Sequence, residues 1–121
     1  MKLETERYLA TAAECLANAA GTTITNDAGR SAYLAAFYAA QALIFESTGK
    51  VAKTHHGVHS EFSRVTIGKL ELYGLYVFLS NAHNLKAVAD YEAGPDSNIL
   101  PERAASAIAE AAKFVAAIRR E

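Results

Sequence analysis

An all-α fold, an up-and-down bundle of about five helices, is predicted by three observations. Twenty-six of the 121 residues are alanine, tryptophan is absent, and β-branched residues are scattered rather than clustered, so local propensity favours helix over nearly the whole chain. Apolar residues recur at three- and four-residue spacing in one segment after another. Glycine and cap-forming residues punctuate the chain between those segments.

The first helix is expected over about 3–20, with Leu3, Arg7/Tyr8, Ala12, Cys15/Leu16 and Ala19 as its stripe and Gly21 ending it in a left-handed turn. Residues 22–25 read as a β-branched linker, after which Asn26 or Asp27 caps the second helix. That helix, about 27–48, carries Tyr33, Phe37, Ala40/Gln41 and Ile44 on one stripe with Leu34, Tyr38 and Phe45 beside it, and closes at Gly49. It is apolar over most of its circumference, which predicts burial on more than one side and a helix-to-helix contact between two copies. Thr54 is placed to cap a short third helix, about 55–65. A fourth, about 69–91, runs through Leu72, Leu75/Tyr76, Leu79, Ala82, Leu85 and Val88/Ala89 before Gly94-Pro95, with Gly74 and Ser80-Asn81 weakening its middle. The last, about 98–120, has Pro101 in its first turn and Ala105, Ile108, Ala112, Val115 and Ile118 as its buried face.

Composition narrows the class of function. A chain of this length is expected to form one domain, 1–121, whose function sits on one surface or across an oligomer interface. Its 51% hydrophobic and 21% charged residues exclude disorder for most of its length. Twelve basic against thirteen acidic residues leave a net charge of −1, so any nucleic-acid contact must be local. The single Cys15 excludes an internal disulfide and a cysteine-based zinc knuckle. No stretch reaches the ~18 apolar residues of a membrane span. A cytoplasmic location, no membrane association and no cofactor are the expectations.

Two polar constellations carry candidate chemistry. Three of the four histidines fall within Lys53-Thr54-His55-His56-Gly57-Val58-His59, flanked by Lys50 and Arg64 and opposed by Glu61. A helix starting at Thr54 would turn its free N–H groups and positive dipole end toward this patch, so Lys50, Lys53, Thr54 and Arg64 are candidate RNA- or phosphate-binding residues. The plainer alternative is that Thr54 only caps the helix and the lysines are solvated. His55 and His59, at i and i+4, have the spacing of a metal pair, but no third ligand is set by the sequence and no metal is expected. The second constellation is His83-Asn84-Leu85-Lys86-Ala87-Val88-Ala89-Asp90-Tyr91. Helical spacing lines up Asn84, Val88 and Tyr91 on one edge and His83, Lys86/Ala87 and Asp90 on another. The plainer reading is a Lys86–Asp90 ion pair, of about 0.3–0.5 kcal/mol at best.

The runs Gly29-Arg30-Ser31-Ala32-Tyr33-Leu34-Ala35-Ala36-Phe37-Tyr38-Ala39-Ala40-Gln41-Ala42-Leu43, Lys53-Thr54-His55-His56-Gly57-Val58 with Phe62, and Asn84-Leu85-Lys86-Ala87-Val88-Ala89-Asp90-Tyr91, followed by Lys113-Phe114-Val115, resemble a small prokaryotic HEPN-domain family. The resemblance implies a helical bundle that dimerises, often paired as a toxin with a minimal nucleotidyltransferase antitoxin. It also implies metal-independent RNase chemistry built on an Arg-x4-6-His motif. The sequence departs from that motif: none of its six arginines is followed by histidine at that spacing, and Lys86 and Tyr91 stand at the matching positions. Lysine keeps the charge but loses the planar fork, and tyrosine, with a reference pKa near ~10, is a poor base at neutral pH.

These readings lead to one expectation and one alternative. The expectation is a toxin–antitoxin HEPN protein, a homodimer that cleaves RNA without metal using His55, Lys86, Asp90 and Tyr91, if folding brings the two constellations together. The alternative is a non-catalytic module that holds a nucleotide, RNA or a partner protein.

Overall fold

The computed structural model describes the backbone of residues 1–69, 72, 75–91 and 99–120, and the side chains of those residues except 76, 85 and 88–91. Five helices are present among the described residues: α1 (Leu3–Gly21), α2 (Thr25–Thr48), α3 (His55–Val65), α4 (Leu75–Tyr91) and α5 (Pro101–Arg119). The all-helical expectation therefore holds.

Helix α2 is the axis of the bundle and packs against each of the other four. Its alanines 28, 32, 35, 36, 39, 40 and 42 are all buried, most of them completely. Small side chains let neighbouring helix backbones approach closely, and each larger residue then fills the space left between them. Tyr33, Ile44, Phe62, Leu72, Leu79, Phe114 and Ile118 are the large side chains of that core. Four neighbouring helices cover much of α2 within one chain, while Leu34, Phe37, Tyr38 and Phe45 keep part of their surface.

The ends of the helices test the sequence reading locally. Gly49 stops α2 in the left-handed region at φ 73°, its N–H bonding Phe45 O at 2.8 Å. Thr54 caps α3 as expected, its Oγ1 accepting from Gly57 N at 2.9 Å. A Cβ at Gly57 would lie 3.0 Å from that oxygen, so the glycine makes room for the cap. Pro101 occupies the first turn of α5.

Four expectations need correction. Gly21 lies inside the last turn of α1 without positive φ. Neither Asn26 nor Asp27 caps α2, which begins at Thr25 with no side-chain cap. Asn26 Oδ1 instead accepts from Ile99 N at 2.8 Å and ties the start of α2 to the approach to α5, while Asp27 pairs with Arg30 at 2.5 Å. Leu3 is 63% exposed rather than part of the α1 stripe. The buried face of α5 runs through Ala104, Ala107, Ala111, Phe114, Val115 and Ile118, with Ala105 and Ala112 exposed. Alanine fits either face of a helix, and the large ring of Phe114, stacked on Phe62 at 5.4 Å, decides which one turns inward. Gly74, Asn98 and the loop 94–97 lie outside the described residues.

Candidate functional site

A buried amide holds the segment leading into α3. Gln41 is only 4% exposed. Its Nε2 donates to Ala52 O at 2.6 Å and its Oε1 accepts from Ala52 N at 3.3 Å. Both backbone groups of one residue are thereby satisfied from inside the bundle, which anchors the loop two residues before the Thr54 cap. The position of His55, the first residue of α3, follows from these two constraints.

His55 reaches back to α2. Its Nδ1 is hydrogen bonded to the phenol of Tyr33, a residue with no exposed surface. The ring of Phe37 lies 5.5 Å from the His55 ring, edge-on. From α4, the imidazole of His83 comes to 4.5 Å from His55, 5.4 Å from Tyr33 and 5.8 Å from His59, centroid to centroid. His59, one turn along α3 from His55, has its Nδ1 3.5 Å from Ser80 Oγ on α4. The two constellations recognised separately in the sequence are therefore joined, with α2 as the floor beneath them.

The electrostatics of this cluster favour a neutral imidazole. Partial burial against Tyr33 and Phe37, then the neighbouring His83 and then Lys86 hold His55, which keeps exposed surface, below the usual histidine range. Lys86, one turn beyond His83 on α4, is thus near enough for its charge to act on His55. His59 is likewise pushed down, first by burial and then by His83, His55 and His56. Burial raises the Tyr33 phenol, which stays protonated at all physiological pH values. A hydroxyl can accept from Nδ1–H or donate to bare Nδ1, so Tyr33 serves either tautomer of His55.

Of the remaining predicted site residues, Lys50 and Arg64 separate from this cluster. Lys50 and Arg64 line a groove of about 350 Å³ together with Thr48, Gly57 and Glu61. Positions 57, 61 and 64 fall roughly on the side of α3 opposite to His55 and His59. Arg64 is paired with Glu61 at 2.6 Å, and this contact with Lys50 behind it holds the Glu61 carboxyl below its usual range. The expected phosphate patch thus splits, with Lys50 and Arg64 on one side of α3 and His55 on the other. Thr54 spends its hydroxyl on the cap, and Lys53 is exposed beside it. Asp90 and Tyr91 belong to the last turn of α4, and their side chains lie outside the described residues.

Sequence reading passed over two members of the cluster. Tyr33 read as one more apolar position of the α2 stripe, and only its polar tip hinted otherwise. His83 read as part of an edge of α4, since no spacing rule links it to His55. Among the described residues no group of three or more His, Cys, Asp or Glu side chains is arranged to hold a metal ion, and none of the described helices is long and apolar enough to cross a membrane. Compared with known proteins, the chain matches the family model described as HEPN domain over residues 3–121. No curated protein matches it.

Proposed function

The chain belongs to the HEPN-domain family, and from that premise we propose that it is a metal-independent endoribonuclease in which His55 supplies the acid–base chemistry. The observation that carries this reading is the meeting of His55 with His83 at 4.5 Å over the Tyr33 phenol, with Lys86 one turn further along α4. Neutral His55, donating Nδ1–H to Tyr33 Oη, presents the lone pair of Nε2 to a ribose 2′-hydroxyl. The 2′-oxygen gives up its proton there and attacks phosphorus, and the bond from phosphorus to the 5′-oxygen breaks. The products are a 2′,3′-cyclic phosphate and a 5′-hydroxyl, the leaving oxygen taking its proton from the second imidazole, His83. Lys86 and Lys53 offset the charge that builds on the phosphorane. Asp90 and Tyr91, in the turn that follows Lys86 on α4, complete the proposed set.

The setting we propose is that of a toxin acting as a homodimer and held in check by a minimal nucleotidyltransferase. Family membership supports this pairing, as does the concentration of polar residues at one end of α4. A second reading, a non-catalytic module that binds a nucleotide, RNA or protein, is favoured by one specific observation: no Arg-x4-6-His pair exists in the sequence.

Incubation with total tRNA in EDTA separates the two readings, using wild type, His55→Ala and Lys86→Ala proteins of unchanged helicity. Cleavage to cyclic-phosphate ends by the wild type, lost in both variants, is expected. No cleavage, or equal cleavage by all three, would transfer the weight to the binding module.

A further inference from the structure

The rings that touch His55 do not end there. Phe37 packs edge-on against Tyr38 at 5.5 Å, and Tyr38 lies nearly parallel to Tyr8 of α1, the centroids 6.5 Å apart and the planes inclined by 20°. Phe37, Tyr38 and Tyr8 are each partly exposed, and His55 is exposed. A ladder of partly exposed aromatic side chains therefore runs from α1 across α2 to the imidazole cluster on α3 and α4. Each of these rings keeps part of its surface toward solvent.

We propose that the Tyr8–Tyr38–Phe37 ladder is a stacking platform for the bases of single-stranded RNA, seating the nucleotides next to the phosphodiester held at His55. The inference rests on the RNA reading above. Three features point to this occupant. The ladder is continuous with the imidazole cluster and the Lys86 charge, so a strand whose phosphate lies there has its flanking bases beside Phe37 and Tyr38. Every base has a π-face, so rings recognise a strand without demanding a sequence. Finally, a chain of net charge −1 has no general field to hold RNA, so local contacts of this kind must supply affinity that phosphate attraction does not.

The test uses six-nucleotide 2′-O-methyl oligoadenylate, which lacks the attacking hydroxyl, and an otherwise identical strand with abasic sugars in its central positions. Binding is read by fluorescence anisotropy against wild type, Tyr38→Leu and Tyr38→Phe, with the mass of each protein measured in solution. Leucine keeps an apolar side chain at this position and removes the ring, while phenylalanine restores it. The expected result is about tenfold weaker binding of the abasic strand by wild type. That difference should vanish in Tyr38→Leu and return in Tyr38→Phe at unchanged mass. Equal binding of both strands overturns the proposal, as does a fall in mass on Tyr38→Leu, which would mean that a second copy covers the ladder. Cleavage of unmodified RNA separates the two levels. RNA cut without base-dependent binding sinks the platform alone, and RNA neither cut nor bound sinks the RNA reading with it.

Discussion

The imidazoles of His55 and His83, carried by different helices, stand 4.5 Å apart over the hydroxyl of Tyr33. Partial burial, joined by repulsion from the neighbouring His83 ring and from Lys86, holds His55 below the usual histidine range.

A first consequence concerns Lys86. Replacing it with glutamine removes one of the positive neighbours that hold His55 down, so the His55 pKa should rise toward the usual histidine value. An NMR titration of the imidazole protons reads this directly, with an upward shift expected. In RNA cleavage, the limb that rises with pH should move to higher pH by the same amount. An unchanged or lowered midpoint would mean that Lys86 does not act on His55.

Stability should depend on pH through the same histidines. His55 and His59 are both depressed in the folded chain, so the unfolded chain binds protons first as pH falls below about 6.5. The sign is therefore a loss of stability from about pH 6.5 downward, continuing until pH passes the folded-state values. Thermal unfolding followed at pH 7.5, 6.5 and 5.5 should show a falling Tm, with a shallower decline in His59→Gln. A Tm that holds or rises over this interval would contradict it.

The buried amide of Gln41 offers a third test. Gln41→Leu keeps the volume and leaves the N–H and C=O of Ala52 without the partners they have now, a loss expected to destabilise by about 1–3 kcal/mol. Urea denaturation measures this. Because the same amide anchors the approach to α3, His55 should also lose its fixed relation to Tyr33, seen as a change in its NMR shift. Wild-type stability in this variant would show that the loop is held by other means.

Packing of α5 gives a comparison between adjacent residues. Ala111 is fully buried and Ala112 exposed. Ala111→Leu should overpack the core and cost about 1–3 kcal/mol, whereas Ala112→Leu should stay within about 0.5 kcal/mol. Chemical denaturation of the two proteins decides it, and the reverse order would restore the face expected from sequence.

The alanine content, the helical periodicity, Gly49, Thr54 and Pro101 settled from sequence alone that the chain is helical and where several helices start or stop. These signals are local: each depends on residues within one or two turns, which the sequence displays side by side. The facing of an alanine-rich helix was not settled that way. Ala104 and Ala105 are alike as a sequence, and only the seat of Phe114 against Phe62 turns one inward. How much of α2 its own chain covers was likewise decided by tertiary packing, because an apolar circumference does not say which of its residues the neighbouring helices reach. The candidate site lies at the same boundary. His55 and Lys86 were visible as candidates in two separate runs, yet the approach of His83 to His55, the Tyr33 partner and the parting of Lys50 and Arg64 to the far side of α3 depend on how the helices pack around α2. Spacing within a helix determines which side chains share a face, and only the packing of helices determines which faces meet.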